Sequence, residues 1–333
     1  MWFKFLTAFL CAPLTLVICA AQSSHPVQAP PLHLKQEILL PRVEGRLDHL
    51  SVDVKGERLF VAALGNGSVE VIDVKRGSLI REIRSLHEPQ GVLYEATSNR
   101  IFVASAGDGT LRSYDGTTFQ PLKTIHLGED ADNLRYDSSR DRVFVGFGSG
   151  GLASFDTDLD EEARVALPAH PESFQLEQIG PRVFVNVPDR SEIVVVDRKK
   201  QQLIAHWRDL PASANFPMAL DEADHRLFAA FRHPATLAIF NTTVGKMIAH
   251  LPVVGDADDL FYDSSRRLIY AIGGEGFMDV FRQQDADRYF HYSRIATAEG
   301  ARTGLFVPAL NRLFVAAPHR GQIPARILVY EWK

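Results

Sequence analysis

Cysteine is almost missing from this chain. Only Cys11 and Cys19 occur, and both lie in an apolar N-terminal stretch that reads as a removable signal. A mature protein cut after that stretch has no disulfide, no thiolate metal site, no cysteine nucleophile and no thioether-linked haem. Clustered basic charge is missing as well. The formal net charge is −5, and the longest basic run, Arg198-Lys199-Lys200, reads as a solvated turn, so no nucleic-acid partner is expected. A helical apolar period is absent, and so are HExxH, GxSxG and Cys/His metal spacings. GFGSGG at 146–151 lacks the following helix and lysine of a phosphate loop and reads as a hairpin turn.

The N-terminus has its own pattern. MWFKFLTAFLCAPLTLVICAAQSS carries one early lysine, an apolar run from Phe5 to Ala21 and a small-residue exit. That is the form of a secretory signal peptide, with Ala20 or Ala21 the last residue before cleavage. A retained anchor is the alternative, because the run is almost long enough to span a bilayer. The expectation is a signal at 1–21, a flexible leader at 22–31 and a folded unit at 32–333. The mature chain would then be periplasmic or secreted, have no membrane span and be a monomer.

What is present is repetition. DADNLRYDSS at 130–139 returns as DADDLFYDSS at 256–265, 126 residues later, or three periods of 42. An arginine-led strand phrase recurs at Arg58 (RLFV), Arg100 (RIFV), Arg142 (RVFV), Arg182 (RVFV), Arg226 (RLFA), Arg267 (RLIY) and Arg312 (RLFV), at intervals of 40 to 45. Each unit holds a strand ending on an acid, a polar turn, the arginine-led strand, a Gly/Asn/Asp/Pro turn, a third alternating strand and a fourth segment. Period-two alternation between turn residues specifies antiparallel strands. Asp73, Asp115, Asp156, Asp197 and Asn241 close the third strand at one shared position and are expected to bond their own turn backbone. The repeat phenylalanines Phe60, Phe102, Phe144, Phe184, Phe228 and Phe314 are expected between units, as core. His206, His225, His250 and His291 read as surface residues.

Seven units of about 42 residues with four strands each define an all-β, seven-bladed propeller. The seventh unit ends at RILVYEWK with no room for a fourth strand. LHLKQEILL at 32–40 supplies it, so the N-terminal strand is expected to pair into the last blade and close the ring. LFVAALGNGSVEVIDVKRGSLIREI at 59–83 resembles the YVTN repeats of the YncE-like propeller family, and the resemblance runs over residues 32–333. It implies an extracytoplasmic seven-bladed propeller without implying one reaction.

Equivalent positions in seven blades form circles around the ring axis. In the loop entering each innermost strand, one circle is Asp48, Gln90, Asp132, Glu172, Phe216, Asp258 and Thr303. The next residues are His49, Gly91, Asn133, Ser173, Pro217, Asp259 and Gly304, with Arg302 one position ahead in the last blade. Asp48, His49, Gln90, Asp132, Asn133, Glu172, Asp258, Asp259 and Arg302 are the candidate ligand-binding set. Converging carboxylates need raised pKa values or a cation, and Asp48, Asp132 and Asp258 are the candidate ligands for a divalent cation such as calcium. Loop capping beside a water-filled channel is the plain alternative. The favoured expectation is a binding or scaffold module for a small molecule or partner protein. The alternatives are a metal-dependent, lactonase-like hydrolase or lyase, and an accessory subunit of a periplasmic redox enzyme.

Overall fold

The computed structural model describes residues 1–2 and 31–332. All but the first two residues of the expected signal at 1–21, with both cysteines, and nearly all of the leader at 22–31 lie outside the described residues. Among those described, no helix is long and apolar enough to cross a membrane.

The chain forms seven four-stranded antiparallel sheets, which are the blades expected from the repeat. Six run in simple chain order: blade one over 50–83, two over 89–126, three over 131–166, four over 174–207, five over 213–252 and six over 257–296. Blade seven takes Thr303–Val307, Arg312–Ala317 and Ala325–Trp332, and its outermost strand is the N-terminal Leu32–Leu40. That strand runs antiparallel to the last one from Leu32 opposite Trp332 to Leu40 opposite Ala325. The ring therefore closes as its sequence specifies.

Position in a blade decides how each strand reads. The arginine-led second strands are packed on both faces by neighbouring blades, so RLFVAA, RIFVAS and RVFVGF are buried from their second residue onward. Outermost strands such as PLKTIH meet solvent and carry charge, which protects the free edge. The apolar clusters lie between blades. One joins Val61 and Ile72 of blade one to Phe314 and Val329 of blade seven. Another joins Phe60 and Val71 to Val92 and Val103 of blade two. All six repeat phenylalanines are core residues.

Turn chemistry follows the same plan. Asp73, Asp115, Asp156, Asp197 and Asn241 each accept from a backbone N–H two to four residues ahead, as expected. Two of the second turns, at 64–66 and 188–190, and the first turn of blade seven, at 308–310, wind into single 3-10 turns, each ending on a left-handed residue, Gly67, Ser191 or Asn311.

Four of the seven repeat arginines reach the next blade, Arg100 through the Thr157 carbonyl. Arg267 instead turns back to Asp224, and Arg312 stays on Glu331 of its own blade. Arg58 bonds the carbonyl of Gly116, Arg182 that of Thr242 at 2.5 Å and Arg226 that of Ala286 at 2.8 Å, each in the next blade. The blade three-four junction inverts this. Arg142 stays within its own blade on Glu162, while Arg198 reaches back from blade four to Asp137, 3.1 Å away. Arg198 is thus a buried inter-blade clamp, which corrects its reading as part of a solvated turn. His206 and His291 are partly exposed and bond the buried acids Glu192 and Asp279.

Candidate functional site at the channel mouth

Chain direction places the DAD loops at one mouth of the axial channel. The backbone there is not regular. The pairing of first and second strands skips a residue between Pro89 and Gly91, Ala131 and Leu134, Asn215 and Met218, and Ala257 and Asp259. These are β-bulges, which re-aim side chains. The skipped residues are Gln90, Asp132 with Asn133, Phe216 with Pro217, and Asp258, so four of the seven circle positions sit on bulges. Gly91 is needed there, because a Cβ would stand 2.1 Å from the Asp132 carbonyl oxygen.

The result is a polar basin of about 210 Å³. Seven of the nine nominated residues line it: Asp48, His49, Gln90, Asp132, Glu172, Asp258 and Arg302. Asp259 does not. It accepts from the Gly304 backbone N–H at 2.8 Å and faces a second chamber deeper in the channel. Asn133 is buried beside the basin without lining it, and its Oδ1 has no hydrogen-bond partner. One step along a strand turns a side chain away, which separates these two from the circle.

Five lining residues were not nominated as ligands: Arg46, Asp130, His170, Arg232 and Phe216, the last of which belongs to the circle. Three of them stand two residues upstream of the circle, in the same entering loops. The alignment that gives Asp48, Asp132 and Glu172 gives Arg46, Asp130 and His170 when read two positions earlier, so a signal existed. Arg232 comes from a second strand, at the extended FRHP end of blade five.

Most of the charge is internally matched. Arg46 Nη2 lies 2.8 Å from Asp48 Oδ2 and 3.6 Å from Asp258 Oδ2, bridging two of the three nominated calcium ligands. Arg232 donates to Asp258 at 2.7 Å and lies over the Phe216 ring, 3.7 Å from its centroid. Arg302 bonds Asp256 at 3.0 Å. His170 approaches Asp130 at 3.4 Å, and Gln90 donates to it at 3.3 Å. The His49 ring stands between Asp48 and Asp132, both at 4.0 Å, and Asp259 at 3.7 Å.

Three basin acids have no arginine ion-pair partner among the described residues. Half-exposed Asp130 pairs only with His170, Asp132 only with His49, and Glu172 has no ion pair there. Burial, then Asp132 and Asp258, raise the Glu172 carboxyl from 4.5 to about 9. Burial likewise raises Asp132 and Asp258, and it raises Asp48 to about 7 against the pull of His49 and Arg46. Burial opposes a charge on His49, but Asp259, Asp48 and Asp132 outweigh it and lift its pKa to about 10. At neutral pH the basin therefore holds an imidazolium and a protonated Glu172. No group of three or more His, Cys, Asp and Glu side chains placed to hold a metal ion occurs among the described residues.

Comparison with known proteins bears on the fold. No family model and no curated protein matches the sequence. Among solved structures, a chain in the crystal structure of a mitotic checkpoint complex superposes with a TM-score of 0.76 at 12% identity, over 96% of this chain and 98% of that one. A chain of Kuenenia stuttgartiensis hydrazine synthase superposes with a TM-score of 0.71 at 13% identity, over 85% of this chain and 98% of that one. At such identities the likeness is one of fold alone. The protein is a seven-bladed β-propeller, an architecture that commonly serves as a binding or scaffold module.

Proposed function

We propose that this chain is an exported, YncE-like binding propeller whose channel mouth takes a cationic group of a small polar ligand or partner protein. One observation carries the reading. Arginines match the basin's other buried acids, while Asp132 and Glu172 stand together without one. A carboxyl raised to about 9 by burial and then by its acidic neighbours is relieved by an incoming cation. An ammonium or guanidinium fits that need, and the basin volume limits the inserted part to a small group. Export rests on the N-terminal signal pattern, and the family on the 59–83 resemblance.

A divalent cation is the second reading, favoured by the same two carboxylates with Asp48 and Asp258 beside them. Arg46 holds the bridging position between Asp48 and Asp258, so a metal there has to displace it. Elemental analysis of the mature chain, paired with thermal-shift assays against ethylenediamine and calcium chloride, separates the two. Stabilisation by the diamine that is lost in Asp132→Asn/Glu172→Gln supports the first reading. A retained metal, or stabilisation by calcium alone, replaces it with the second. No response to either probe contradicts both.

A further inference from the structure

Below the basin the channel opens into a second chamber of about 230 Å³ with a different chemistry. His49 and Asp259 stand at the division. Farther along the inner strands the lining is mixed, with Leu93, Met218, Leu260 and Phe261 beside Ser51 and Gln175. One arginine, Arg135, enters this space from blade three.

Arg135 is unlike the arginines at the mouth. It makes no ion pair among the described residues, and its guanidinium donates only to the Leu134 carbonyl at 2.8 Å and, weakly, to Ser173 Oγ at 3.5 Å. Its face lies toward the Phe174 ring, 5.6 Å away. The nearest acids are committed elsewhere: Asp259 to Gly304 and His49, Asp132 to the basin. A guanidinium carries five N–H donors in a fixed fork and is always charged. Arg135 lines the chamber, and beyond these two bonds its fork has no protein acceptor among the described residues. Burial lowers the Arg135 pKa, with Asp259 and Asp132 only partly compensating, which is the sign of a cation short of a counter-ion.

We propose that the inner chamber is a second ligand site, separate from the mouth, for a small organic anion. The Arg135 guanidinium takes its carboxylate, and Leu93, Met218, Leu260 and Phe261 enclose its apolar body. The chamber is smaller than the roughly 300–1,000 Å³ of a drug-sized pocket, which fits an acid of one ring or a short chain. The charge sign is opposite to that proposed for the mouth, so the two sites fail independently.

Calorimetric titration of the mature chain with benzoate tests this, with benzamide as the uncharged twin and inorganic phosphate as the anion without an apolar body. Benzoate is expected to bind, benzamide and phosphate each to bind about tenfold or more weakly, and Arg135→Gln to lose benzoate by a similar factor. Arg135→Lys should retain part of the affinity, and circular dichroism confirms that each variant is folded. Absence of benzoate binding to the wild type overturns the proposal. So does equal benzoate binding by folded Arg135→Gln, or phosphate binding as tight as benzoate.

Discussion

Arg232 Nη2 donates to Asp258 Oδ1 across 2.7 Å, joining blade five to blade six at the channel mouth. The same guanidinium lies flat over Phe216, 3.7 Å from the ring centroid, so a bulged aromatic in one blade positions the counter-ion of a bulged acid in the next. Removing the cation leaves a mostly buried carboxylate short of a partner. Arg232→Ala is expected to cost about 1–3 kcal/mol, read from the urea midpoint. Adding Asp258→Asn should recover part of that loss, and a double-mutant cycle showing no coupling would remove this pair from the account.

Ring closure gives a larger effect. Leu32, Ile38 and Leu40 of the N-terminal strand are all buried, at 2%, 1% and 0% exposure. Each buried aliphatic side chain contributes about 1.5–3 kcal/mol, so together they approach the roughly 5–15 kcal/mol that holds a domain folded. Deletion of 32–41 should abolish cooperative thermal unfolding. A truncated chain with an unchanged melting temperature contradicts the closure.

The repeat arginines provide an internal control. Arg182 bonds Thr242 across the blade boundary and Glu177 within its own blade, whereas Arg142 forms a half-exposed pair with Glu162 in its own blade. Arg182→Ala should cost about 1–3 kcal/mol and Arg142→Ala no more than about 1 kcal/mol. At the inverted junction Arg198→Ala should behave like Arg182→Ala. Equal losses at Arg142 and Arg182 in denaturant titrations would show that the cross-blade bond is not what matters.

The basin makes folding take up protons. His49 has its pKa raised from 6.5 to about 10, so its contribution is complete below about 6.5 and is lost as pH rises through about 10. Glu172 rises from 4.5 to about 9 and Asp48 from 3.8 to about 7. For these acids the folded state holds a proton the unfolded chain has released, so they also reduce stability as pH climbs across those windows. The urea midpoint is therefore expected to fall from pH 5 to pH 9, with a shallower slope in Glu172→Gln. A midpoint that rises over that range would show the basin's charges to be arranged differently.

The architecture was readable because a propeller writes its period into its sequence: seven arginine phrases, four turn aspartates with one turn asparagine, and an orphan N-terminal strand are each local patterns. The site was half readable. Asp48, Asp132, Glu172 and Asp258 emerged because rotation maps one circle onto equivalent positions. Arg46, Asp130 and His170 sit two residues upstream in the same entering loops, positions the alignment contained. Arg232 leaves no such trace, since it arrives on the second strand of a different hairpin. Arg198 looked like a surface lysine-arginine run, and only the packing of blade three against blade four buries it. The pairing of arginines with particular acids is a three-dimensional property with no linear signature.

The central claim is that protonated Glu172, beside Asp132, receives a cation. Calorimetric titration of the mature protein with ethylenediamine at pH 7, repeated in buffers of different ionisation enthalpy, measures it directly. A carboxyl with a pKa of about 9 has to lose its proton when an ammonium binds against it, so the account predicts release of about one proton per diamine bound from that group, absent in Glu172→Gln. Binding that releases no proton and is unchanged in that variant, or no binding at all, would contradict it.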